Sequence, residues 1–140
     1  MDVADRNPWI RAALIFGALY FIVNFSIATF AGWFTSIAMR ATWNRMGFLI
    51  CAIAFVVQIA YEHFRLHNSP RVTAMHVSAA VALGAFALAV AANIHGLWVG
   101  SSQRRSLAFA LVAWPLITAV PAFVVALLTA IGLSFKRWNT

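Results

Sequence analysis

The stretch YEHFRLHNSPRVTAMH, Tyr61–His76, gathers three of the chain's four histidines, its only glutamate and two arginines into sixteen residues. These residue types bind metals, ligate haem and move protons. His63 and His67 stand at i and i+4 on one helical face, while Gln58, Glu62 and Arg65 fall at i, i+4 and i+7 on a neighbouring one. The Asn68-Ser69-Pro70 turn then reverses the chain, and His76 follows about one turn inside the next apolar run. As a metal centre, His63, His67 and His76 would supply three nitrogen ligands and leave one position open, the pattern of a catalytic zinc site. The order is Glu-His-x-x-x-His, however, not the His-Glu-x-x-His that sets a general base beside the metal. As a haem b site, His63 or His67 would face His76; His95 cannot take part, because it lies roughly 28 Å farther along its helix. On the plainest reading the stretch is a polar connector in which Glu62 pairs with Arg65 and the histidines are solvated. No cofactor is therefore the first expectation, with one divalent metal or one haem b as the alternatives.

The elements that must position these residues are membrane helices. The chain is 64% hydrophobic with a mean hydropathy of +0.87 and only 9% charged residues, against about 25% in a soluble domain. Four apolar runs, Ala12–Phe34, Met46–Phe64, Ala74–Val99 and Leu107–Phe135, each approach or exceed the roughly 20 residues that cross about 30 Å of hydrocarbon as a helix. The fold class expected is all-α: a polytopic integral membrane protein, a four-transmembrane-helix bundle forming a single domain over residues 1–140. Asn7-Pro8 and Ser69-Pro70 each give an N-cap residue followed by proline at the first helical position, and each opens a pair of spans, which hints at a repeat of two helical hairpins.

The net charge of +7 is spread over the ends of the runs. It therefore meets lipid headgroups and sets orientation, and does not form the basic face of a nucleic-acid binder. With four spans both termini lie on one side, together with the connector from Arg65 to Arg71; the other side holds the connectors around Arg40–Arg45 and Ser101–Arg105. Six basic residues (Arg6, Arg11, Arg65, Arg71, Lys136, Arg137) against four (Arg40, Arg45, Arg104, Arg105) favour cytoplasmic termini, here in a bacterial inner membrane. Trp9, Trp33, Trp43, Trp98 and Trp138 fall where runs meet their flanks and read as interfacial anchors, with Trp114 alone deeper. Cys51 is the single cysteine, so no intrachain disulfide forms. Asp2 and Asp5 and the length of the first run argue against a cleaved signal peptide.

The third run places Ser78, Ala82, Ala85, Ala89 and Ala92 in one helical row and Ala80, Gly84, Ala87 and Ala91 beside it. Small residues at this spacing let backbones approach, so this helix is expected at the centre of the bundle or of an oligomer interface. In the fourth run Pro115 and Pro121 each remove a backbone hydrogen bond, and Thr118 is placed to satisfy a freed carbonyl. Polar residues inside the spans, Asn24, Gln58, Glu62, Asn93 and His95, are costly in hydrocarbon and either join helices or line a polar path.

The segment RATWN, Arg40–Asn44, resembles the Arg-Ala-x-x-Asn that opens the second helix of the trimeric four-helix enzymes of eicosanoid and glutathione metabolism. The resemblance implies that Arg40 and Asn44 contact a glutathione-type thiol cofactor, but Gly47 stands where that family carries a glutamate. Three function classes follow. The leading one is an oligomeric transporter, channel or lipid-handling protein using the polar path, with Glu62 as the group for proton or cation coupling. The second is a non-catalytic membrane subunit packed against a larger partner. The third is a membrane enzyme or redox protein using the histidines or the Arg40–Asn44 segment. The partners expected are the lipid bilayer and either a homo-oligomer or another membrane protein, with no nucleic acid.

Overall fold

The computed structural model describes residues 8–98 and 104–138, with side chains in the last stretch from 108 to 135. It is a bundle of four helices: α1 Pro8–Gly32, α2 Ile37–Phe64, α3 Pro70–Trp98 and α4 Arg104–Trp138. All four contain stretches long and apolar enough to cross a membrane. Their outward faces carry large exposed side chains such as Leu14, Ile15, Phe48, Ile53, Ile117 and Leu128. A surface this apolar has hydrocarbon as its solvent, and the chain is an integral membrane protein.

The α1–α2 connector is shorter than the hydropathy pattern predicts. It spans residues 33–36, and Arg40–Arg45 lies inside α2. Hydropathy marks where lipid begins, whereas a helix runs on into the headgroup layer wherever its side chains reach water. Arg40 and Arg45 are exposed, and Arg40 Nε donates to Phe34 O at 2.7 Å, closing the connector. Trp43 stacks on Phe30 and Phe34 beside it, consistent with an interfacial anchor. The connector around Ser101–Arg105 falls largely outside the described residues, as do Arg6 and the side chains of Lys136, Arg137 and Trp138.

α3 touches all three other helices, whereas α1 and α4 make no contact among the described residues. The central position expected of α3 follows from its small residues: Ala74, Ala80, Gly84, Ala85 and Ala89 are buried. At the α1–α3 crossing the backbones nearly touch. A Cβ added to Gly84 would sit 2.8 Å from Tyr20 Cβ and 3.0 Å from Gly17 O. Only glycine fits so close an approach.

α2 and α4 meet at one end alone. There Ile59 of α2, Ala74 and Val77 of α3 and Ala126 of α4 form a buried cluster, with Phe55 and Phe123 against it. Beyond this cluster the two helices diverge and leave an apolar trough floored by α3. α4 continues through Pro115 and Pro121 as one helix. Each proline withholds the N–H that would bond the carbonyl four residues earlier, that of Leu111 or Ile117. Thr118 Oγ1 donates to Trp114 O and Pro115 O instead. Its hydroxyl thus serves neither freed carbonyl, which corrects the role its position implied.

Candidate functional site

The α2–α3 turn is built to hold Glu62. α2 ends as Arg65 N and Leu66 N both bond Tyr61 O, and His67 adopts a left-handed backbone with φ of 52°. That conformation is uncommon for a residue other than glycine or asparagine. The reversal lets Asn68 fold back over the helix end. Its backbone N–H donates to Glu62 O at 3.4 Å, and its side-chain Nδ2 donates to Glu62 Oε2 at 2.6 Å. Ser69 caps α3, its Oγ accepting from Val72 N, with Pro70 at the first helical position as the sequence predicts.

One turn into α3, His76 Nδ1 lies 3.0 Å from the same Glu62 Oε2 and donates to it when it carries the proton. Trp9 of α1 covers the imidazole, ring on ring, with centroids 4.6 Å apart and planes inclined by 8°. Three elements therefore converge on one carboxyl group that is 0% exposed. This corrects the connector reading: Glu62 is held by Asn68 and His76, while Arg65 is exposed.

One turn back along α2, Gln58 is also fully buried, and its Oε1 accepts from Tyr20 Oη of α1 at 3.1 Å. Five buried polar atoms here have no hydrogen-bond partner among the described residues: Gln58 Nε2, Glu62 Oε1, Thr73 Oγ1 and both ring nitrogens of His63. Gln58 and Glu62 share a face of α2 at i and i+4, and Thr73 precedes His76 by three residues on α3. Each buried polar atom left unmade costs about 1–3 kcal/mol, and hydrocarbon offers no water to relieve it. The carboxyl group is thus half satisfied, with Asn68 Nδ2 and His76 Nδ1 on one oxygen and no partner among the described residues on the other.

The three histidines do not assemble as ligands. His63 is buried beside Phe64, His67 is exposed at the turn, and His76 lies between Trp9 and Glu62. Among the described residues no three or more His, Cys, Asp or Glu side chains form a group that could hold a metal ion. Their i and i+4 spacing would align His63 and His67 only if α2 continued, and the helix stops at Phe64. The residues present do not fit the metal centre.

The remaining polar residues are distributed along the bundle. Asn24 Nδ2 donates to Tyr20 O at 2.8 Å and to Cys51 Sγ at 3.2 Å, on the wall of the trough. Asn93 Nδ2 donates to Ala89 O of its own helix, and His95 is exposed. Both lie roughly 30 Å along α3 from Thr73. Tyr20, Thr73, Trp9 and Asn68 are site residues that sequence reasoning missed. Trp9 reads as an anchor and Asn68 as part of the turn, while Tyr20 and Thr73 stand out by no spacing; the packing of α1 brings Trp9 to His76 and Tyr20 to Gln58. Arg40 and Asn44 lie on α2 near the opposite end, the former engaged with the Phe34 carbonyl. No protein family, curated protein or solved structure matches this chain, and its likeness to the glutathione-metabolising enzymes stays confined to Arg40–Asn44.

Proposed function

We propose that the protein is a small membrane transporter whose coupling group is Glu62, with His76 as its proton partner. One observation carries the reading: a fully buried carboxyl group with Asn68 and His76 on one oxygen and no partner among the described residues on the other. Polar residues that only join helices satisfy one another, and ionisable groups kept inside a membrane at such cost mark ion or proton paths. A proton is the ligand this geometry suits first, because it needs no cavity. It can reside on Glu62 or on His76 across the 3.0 Å contact, and Glu62 Oε1 remains as a second point of exchange. A small monovalent cation is the other cargo of the same chemistry. Assembly as a homo-oligomer with cytoplasmic termini belongs to this reading.

The test is flux into proteoliposomes holding a pH-sensitive dye, driven by an imposed potential, with sodium and potassium uptake measured in parallel. Wild-type protein is expected to carry one of the three cations. Glu62→Gln keeps the size and hydrogen-bonding capacity of the side chain and is expected to abolish the flux; His76→Ala is expected to lower it at least tenfold. Equal flux in wild type, Glu62→Gln and protein-free vesicles for all three cations would reject the transporter reading.

A further inference from the structure

The trough between α2 and α4 contains two cavities of about 760 and 610 Å³ that share Asn24, Phe48, Cys51, Leu88 and Trp114. Volumes of this size are typical of small-molecule sites lined by apolar and aromatic side chains with a few polar groups that fix orientation. The depth comes from the small residues of α3, Gly84, Ala85 and Ala89, which form the floor. Among the described residues no Lys, Arg, Asp or Glu lines either cavity, so a charged guest would be unpaired by them.

Asn44 lines only the smaller cavity, and Thr118 lines the larger with its hydroxyl turned to its own helix, whereas Asn24 lines both and is held in a fixed orientation. Asn24 must turn its nitrogen to the Tyr20 carbonyl, which can only accept, and the same Nδ2 reaches Cys51 Sγ. Its Oδ1 is left as an acceptor with no partner among the described residues. Tyr20 joins the trough to the buried site: it lines the larger cavity, and its hydroxyl bonds Gln58, one turn from Glu62.

We propose that the trough binds a neutral, lipophilic molecule that carries one hydrogen-bond donor, entering sideways from the hydrocarbon with its donor on Asn24 Oδ1. The absence of charge sets the first property, the exposed walls of Phe48 and Trp114 the second, and the oriented acceptor the third. That this guest is the cargo exchanged against a proton rests on the transporter reading; that it binds does not.

Carbazole, a flat neutral molecule with one N–H, and fluorene, its counterpart without the donor, are the probes. Binding is measured by energy transfer from tryptophan in nanodiscs against protein-free discs. Carbazole is expected to saturate at about one per chain and to bind about fivefold more tightly than fluorene, the worth of one hydrogen bond. Asn24→Leu, at an exposed position, is expected to make the two probes equal. Leu88→Trp, which fills the trough, is expected to weaken both at least tenfold. Uptake that never saturates, or equal binding of the two probes to wild type, overturns the proposal. So does a trough closed by a second copy, seen as cysteine-linked dimers of Phe48→Cys that exclude carbazole. Carbazole binding without cation flux leaves this site standing and rejects the transporter, whereas flux without carbazole binding does the reverse.

Discussion

Replacing Gly84 by alanine tests how the α1–α3 crossing supports the buried site. The new Cβ would lie 2.8 Å from Tyr20 Cβ and 3.0 Å from Gly17 O, against ordinary contacts that begin at 3.4 Å. Tyr20 Cβ is fixed to the α1 backbone and cannot swing aside as a flexible side-chain end would. Relief therefore takes about 0.6 Å of retreat by the helix, and overpacking of this kind costs about 1–3 kcal/mol. The Tyr20 Oη–Gln58 Oε1 bond is already 3.1 Å long, and a retreat that carries it past 3.5 Å ends it. Gln58 would then lose its only side-chain bond among the described residues, at a further cost of about 1 kcal/mol. Alanine returns up to about 1 kcal/mol of helix propensity over glycine, leaving a net loss of about 2 kcal/mol. The control is Gly132→Ala in α4, where an added Cβ meets nothing within 4 Å and only the propensity gain remains. Reversible unfolding in mixed micelles measures both variants. If Gly84→Ala proves as stable as Gly132→Ala, the close crossing and its link to Gln58 are refuted.

Two further substitutions separate local geometry from function. His67→Gly relaxes the left-handed backbone at φ 52° and is expected to raise stability by about 1 kcal/mol with cation flux unchanged; lost flux would give the exposed imidazole a role that the structure does not. Thr118→Val removes a hydroxyl that bonds only the carbonyls of Trp114 and Pro115 in its own helix. It should change stability by less than about 0.5 kcal/mol, and a larger loss in the same unfolding assay would mean that Thr118 holds α4 against another element.

The fold was legible because hydrocarbon imposes so few solutions. Run length and the near absence of charge identify four spanning helices, and the alanine and glycine rows of the third run mark it as central before any contact is known. The helix ends were less legible: hydropathy stops at Met46, yet α2 begins at Ile37, since the backbone does not change course where the solvent does. At the site, the pattern identifies Gln58 and Glu62 as neighbours but pairs Glu62 with Arg65, the nearest cation in sequence. What decides otherwise is the left-handed turn at His67, which swings Asn68 back over the helix end, and no periodicity carries that turn. Trp9 and Tyr20 were illegible for a different reason. A large aromatic in a membrane helix reads as lipid-facing until the helix it crosses is known.

The distribution of partners around Glu62 also says which parts of the bundle must move for the site to change state. Both partners of Oε2 belong to the α2–α3 hairpin: Asn68 in the turn and His76 on the returning helix. The unpartnered Oε1 lies one turn from Gln58, whose only side-chain bond among the described residues runs to Tyr20 on α1. A Gln58 amide released from Tyr20 can turn its free Nε2 to its i+4 neighbour, an exchange open to any such pair on a helix. Release requires α1 to shift against α3, and the two helices meet there at Gly17 and Gly84, with Tyr20 Cβ packed on the α3 glycine and Leu83 Cβ on the α1 glycine. The same α1 supplies Trp9 over His76 and Asn24 in the trough. On the transporter reading, a shift of α1 at this tight Tyr20–Gly84 contact would couple the cover on the imidazole, the free oxygen of the carboxyl group and the acceptor in the lipid-facing trough.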